Sequence, residues 1–223
     1  MMRKYTAEFI GTFALVFCGT GAIVVDQHTN GGVGHVGVAM TFGLIVMAMI
    51  YTFGDVSGAH LNPAVSIGFA VAGRFAVKEV LPYVVFQIAG AFAASFMLHL
   101  LFPENEFLGA SLPAGSALQS FVFEFILTFF LMLVIVHVAH GSKEIGTLAG
   151  MAIGGTVLLE AMFAGPISGA SMNPARSLAP AVVSGHTENL WIYLFAPVLG
   201  ALAAVTTWRL LKNGMLKSPD EVI

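Results

Sequence analysis

Six blocks of hydrophobic residues dominate the chain, at 7–25, 35–54, 80–102, 118–139, 146–164 and 190–211. Crossing a hydrocarbon core of roughly 30 Å takes about 20 apolar residues in a helix, so each block is predicted to be a membrane-spanning helix. Short turn-rich segments separate them: Asp26 to Gly34, Pro103 to Gly115, Gly141 to Lys143 and Ser184 to Asn189. Two further apolar stretches, 63–74 and 174–184, are too short to cross. A dozen helical residues cover about 18 Å, half a bilayer. These stretches open on Asn62-Pro63-Ala64 and Asn173-Pro174-Ala175. Asn favours the N-cap and Pro the first helical position, so each motif is predicted to start a half-helix. The non-helical backbone before it can lie at membrane depth only if buried in protein or lining a wet cavity. The first block follows Arg3 and Lys4, as a signal peptide would. It has no convincing small-residue cleavage pattern and carries Glu8 near its start, so it is read as a retained span.

The blocks repeat. Glu8-Phe9-Ile10-Gly11-Thr12-Phe13 returns as Glu124-Phe125-Ile126-Leu127-Thr128-Phe129, at an offset of 116 residues. Ser57-Gly58-Ala59-His60-Leu61-Asn62-Pro63-Ala64 returns as Ser168-Gly169-Ala170-Ser171-Met172-Asn173-Pro174-Ala175, at an offset of 111. Each copy holds three spans, and an odd number turns the second copy upside down. The expected fold is all-α: six transmembrane helices and two re-entrant half-helices that enter from opposite faces, in an inverted internal repeat. It forms a single membrane channel domain over 1–223, with repeat one near 3–103 and repeat two near 116–212.

Composition agrees. The chain is 57% hydrophobic and 9% charged, with a mean hydropathy of +0.89. Soluble domains carry roughly 25% charged residues, so a soluble enzyme is excluded. Nine Lys and Arg against twelve Asp and Glu give a net charge of −3 with no basic patch, which excludes nucleic-acid binding. With Cys18 as the only cysteine, neither an intrachain disulfide nor a multi-cysteine metal site can form. Under six spans, Arg3, Lys4, Arg74, Lys78, Lys143, Arg209, Lys212 and Lys217 fall on one side, whereas Asp26, Glu104, Glu106 and Glu188 fall on the other. The positive-inside rule then makes both termini cytoplasmic, in a multi-pass protein of the cell (inner) membrane. Arg176 is left inside the membrane, which makes it a functional candidate.

With its two Asn-Pro-Ala motifs and Arg176 after the second, the chain resembles the aquaporin, or major intrinsic protein, family from Glu8 to the last span. The run from Phe163 to Leu178, with Trp191-Ile192-Tyr193, is most similar to the nodulin-type members and their bacterial relatives. The resemblance implies a homotetramer in the lipid bilayer with one pore per subunit and no cofactor. It further implies passage of water or small neutral solutes such as glycerol, and in the nodulin-type branch neutral metalloid hydroxides such as arsenous or boric acid. Carried over by position, the family's narrow filter falls on Phe42, Ala161, Ala170 and Arg176. Strict water channels tend to place His where this chain has Ala161, and glycerol channels tend to place Asp where it has Ser177.

Several polar residues carry the expected chemistry. Asn62 and Asn173 can cap the half-helices while their amides donate to solute. The two helix N-termini, each with roughly half a positive charge, repel cations and protons, and Arg176 adds a full charge. Glu8 and Glu124 are open to two readings, a proton relay or acceptors that hold the re-entrant loops. Gln at either place is expected to keep the hydrogen bonds. His60 and Glu160 are pore-lining candidates, each with a structural alternative: a packed histidine, and loop support. His137 and His140 have a spacing that a metal could use, but two ligands are weak evidence and no metal is expected. A strict water channel is the alternative within this class. A secondary transporter shares inverted repeats and broken helices, but it needs buried ionisable residues for coupling, and only Glu160 is available beyond the symmetric pair. An intramembrane hydrolase lacks a His-Glu-x-x-His pattern or a nucleophile with a partner base.

Overall fold

The computed structural model describes residues 2–139 and 147–215; His140, Lys143 and Lys217 lie outside them. Among the described residues there are eight helices: α1 (Met2–His28), α2 (Gly34–Ser57), α3 (Pro63–Val71), α4 (Val77–Leu101), α5 (Ala117–Val138), α6 (Ala149–Ser168), α7 (Pro174–Ser184) and α8 (Leu190–Met215). All but α3 and α7 are long and apolar enough to cross a membrane. Their outer faces carry large apolar side chains such as Leu81, Phe96, Leu159 and Phe195, each more than half exposed. Helix α3 ends at Val71 rather than at 74. Gly73 turns left-handed at φ +73°, and Arg74 N donates to Phe69 O at 2.9 Å, which closes the helix end.

Helix α1 packs on α4, α5 on α8, and α2 on α6. Glycines set how close these pairs come. A Cβ at Gly90 of α4 would overlap the Phe9 carbonyl of α1 and lie 3.1 Å from Phe13 N. A Cβ at Gly200 of α8 would overlap the Phe125 carbonyl of α5 and lie 3.0 Å from Phe129 N. Where α2 crosses α6, a Cβ on either Gly43 or Gly154 would come 2.6 Å from the carbonyl oxygen of the other. Lipid tails are as apolar as leucine, so close backbone approach replaces the hydrophobic effect as the source of association. The half-helices cross over: α3 packs on α8 as well as α4, and α7 packs on α4 as well as α8. Each is thereby held between helices from both halves of the chain.

Candidate functional site

Both half-helices begin with the expected caps. Asn62 Oδ1 accepts from Ala64 N at 2.9 Å, and Asn173 Oδ1 accepts from Ala175 N at 3.0 Å and Arg176 N at 3.3 Å. The amides reach across the molecule. Asn62 Nδ2 donates to Met172 O at 2.7 Å, and Asn173 Nδ2 donates to Leu61 O at 2.9 Å. Each amide carries two hydrogens, so one is committed to the opposite loop and one is left. The amides expected to donate to solute thus also tie the two loops together, a pairing that no local sequence signal marks.

The loops before the caps share one backbone course. Gly58 and Gly169, both at φ +86°, end α2 and α6. Then come Ala59 at +46° and Leu61 at +52°, matched by Ala170 at +40° and Met172 at +53°. A non-glycine residue in that region costs about 1–3 kcal/mol and persists only where its surroundings hold it. Glu8 supplies that hold in the first loop. Its Oε1 accepts from Ser57 Oγ at 2.7 Å and His60 N at 2.9 Å, and its Oε2 accepts from Leu61 N at 2.7 Å and Gln87 Nε2 at 2.8 Å. In the second loop Glu124 Oε1 accepts from Ser168 Oγ and Ser171 N, both at 2.9 Å, and its Oε2 accepts from Met172 N at 2.8 Å. Tyr83 and Tyr193 fasten the ends of α2 and α6, donating to Ser57 O and Ser168 O at 2.8 and 2.7 Å. Nothing local in the sequence marks Tyr83 or Gln87, and Tyr193 stands out only through the family resemblance, not for this bond.

A cavity of about 780 Å³ runs past both asparagines. Phe42, Ala170 and Arg176 line one end of it, and Tyr51, Asp55 and Thr147 contribute at the other. His60 is in its wall, with Nδ1 3.0 Å from Ser66 Oγ and its ring stacked 4.8 Å from that of Phe69. It is thus both packed and cavity-lining. Ala161 is buried, but its single methyl carbon does not reach this wall. Glu160 is not in that wall either: its carboxyl is buried, with Oε2 lacking a hydrogen-bond partner among the described residues. One step along a helix turns a side chain by about 100°, which takes Glu160 off the direction of Ala161. His137 Nδ1 lies 2.7 Å from Leu133 O of its own helix.

Arg176 is 2% exposed. Its Nη1 donates to Gly109 O at 3.1 Å and Ser111 Oγ at 2.5 Å, and its Cζ lies 5.1 Å over the Phe42 ring. The acceptors come from the segment Pro103 to Gly115, which from its turn residues read as a plain connector. It dips inward instead, with Leu108 and Ser111 buried and Ala114 N donating to Ile167 O at 2.9 Å.

Comparison with known proteins gives a consistent set of matches. The family model described as Major intrinsic protein matches residues 1–208. Aquaporin NIP1-3 of Oryza sativa subsp. japonica is 48% identical over 213 residues, 94% of this chain and 74% of the rice protein. Nodulin-26 of Glycine max is 46% identical over 213 residues, 95% of this chain and 78% of the soybean protein. In structure, the aquaglyceroporin from Plasmodium falciparum superposes with a TM-score of 0.86 at 28% identity, covering 96% of this chain and 98% of that one.

Proposed function

We propose a solute range for this chain, which belongs to the major intrinsic protein family and is a membrane channel for water and small uncharged solutes, not an enzyme. Its pore passes glycerol and neutral metalloid hydroxides such as arsenous acid as well as water. The observation that carries this is the amphipathic lining at one end of the cavity, where the Phe42 ring faces the Arg176 guanidinium and only a methyl stands at Ala170. The name of the Plasmodium falciparum protein, an aquaglyceroporin, supports the same reading. Phe42, Ala170 and Arg176 form the constriction, and the fourth filter position, Ala161, leaves it wide because its methyl stops short of the wall. Asn62-Pro63-Ala64 and Asn173-Pro174-Ala175 form the midpoint, where the two helix N-termini disfavour cations and protons. Glu8 and Glu124 hold the loops rather than relay protons, because every hydrogen bond each receives comes from a donor fixed in the protein. The repeats near 3–103 and 116–212 make one domain, with both termini cytoplasmic in the cell membrane, and four copies assemble through their exposed apolar faces. The test is Ala161→His beside the parent in proteoliposomes. Water flux is expected to persist while glycerol and arsenous acid fluxes fall steeply; a parent that excludes both solutes leaves a strict water channel.

A further inference from the structure

Arg176 donates to Ser111 Oγ at 2.5 Å; Ser111 Oγ lies 2.8 Å from Ser177 Oγ, which lies 2.5 Å from Ser171 Oγ, and Ser171 Oγ is 3.0 Å from Asn173 O. All four side chains are buried, none more than 6% exposed. A hydroxyl has one hydrogen, and a guanidinium only donates. Ser111 therefore accepts from Arg176, and its own hydrogen has one acceptor within reach, Ser177 Oγ. The Ser177 hydrogen then goes to Ser171, and the Ser171 hydrogen to Asn173 O. The reverse order would strand the Ser111 hydrogen in a buried site, which costs a lost hydrogen bond. The chain runs one way, from the arginine to the carbonyl of the second motif asparagine.

We propose that Ser111 is a positioning residue for solute selection: through this one-way chain it fixes Arg176 in the constriction and leaves Ser171 with no hydrogen to offer solute. The proposal rests on the reading of Arg176 as part of the constriction. Nη1 is taken by Gly109 O and Ser111 Oγ and Nε is buried without a partner, which leaves Nη2 as the edge to offer solute. Ser171, in the cavity wall, gives its hydrogen to Asn173 O and accepts from Ser177 and, at 3.4 Å, from Asn173 N, so the acceptors left on this side are loop carbonyls. A solute hydroxyl thus meets fixed donors on Arg176 and fixed acceptors along the second loop. Ser177 belongs to the support of that arrangement, although by sequence it only marked the lack of an acid. A polyol makes several such bonds at once and water makes few, so loosening the chain affects the polyol more.

The experiment is stopped-flow light scattering on proteoliposomes holding the full chain. It compares the glycerol-to-water permeability ratio of the parent with those of Ser111→Ala, Ser177→Ala, the double variant and Arg176→Val. Each serine variant is expected to lower the ratio about threefold, the order of one weakened hydrogen bond. The double variant should match either single one, because both break the same chain. An unchanged ratio in the serine variants, beside a changed one in Arg176→Val, overturns the role of Ser111 and leaves the constriction standing. Additive effects of the two serines overturn it as well. An unchanged ratio in Arg176→Val sinks the constriction reading itself and the proposal with it. If Ser111→Ala does not fold, Ser177→Ala alone decides: a lowered ratio supports the chain and an unchanged one overturns it.

Discussion

Every group around Glu8 donates to it: the Ser57 hydroxyl, the His60 and Leu61 amides and the Gln87 side chain. Glutamine has one oxygen and one NH₂ where glutamate has two oxygens. Substituting Gln at Glu8 or Glu124 therefore sets an N–H against a loop N–H, Leu61 N or Met172 N. The structure revises the expectation that Gln keeps the bonding. Each Gln variant should lose about 1–3 kcal/mol of stability, the penalty of a buried polar group left unpaired. Glu8→Leu strips the acceptor from all four donors and should lower the folded yield further. Thermal unfolding in detergent checks this order; a Gln variant as stable as the parent would mean that these donors find other partners.

The spans, the half-helices and the duplication were legible in the sequence because they rest on local signals: apolar runs, Asn-Pro caps and matched motifs. The contacts that fix the site were not. Arg176 meets Ser111 across 65 positions and Tyr193 meets Ser168 across 25, and no local pattern encodes either pairing. Element crossings lie between these cases. Small-residue pairs such as Gly90-Ala91 and Gly200-Ala201 permit close approach without naming the partner; the backbone of the neighbouring helix stands at both glycines. Gly90→Ala and Gly200→Ala should each destabilise by about 1–3 kcal/mol, because backbone cannot yield as a flexible side chain does. Gly155→Ala, at a position with nothing within 4 Å, serves as the control and should be neutral or slightly stabilising. Melting temperatures of the three variants test the assignment; equal losses at all three would point to glycine flexibility rather than packing.

Across the whole molecule, charge is kept off the membrane interior except at a few buried sites. Arg176 is the only Lys or Arg buried among the described residues. Arg176→Val is expected to give a folded channel with raised proton and cation leak, measured with a pH-sensitive dye inside proteoliposomes. A leak equal to that of the parent would place the barrier at the helix N-termini of α3 and α7 alone. The reciprocal asparagine bonds also have a consequence for how the protein is made. Leu61 O takes its hydrogen from Asn173, 112 positions later in the chain, and Asn62 gives one to Met172, 110 positions later. Ribosomes add about 5–20 residues per second, so the first loop waits on the order of ten seconds for its partner to be synthesised. Through that interval its left-handed turns depend on Glu8, in a helix made before the loop, and the second half of the chain arrives as the latch.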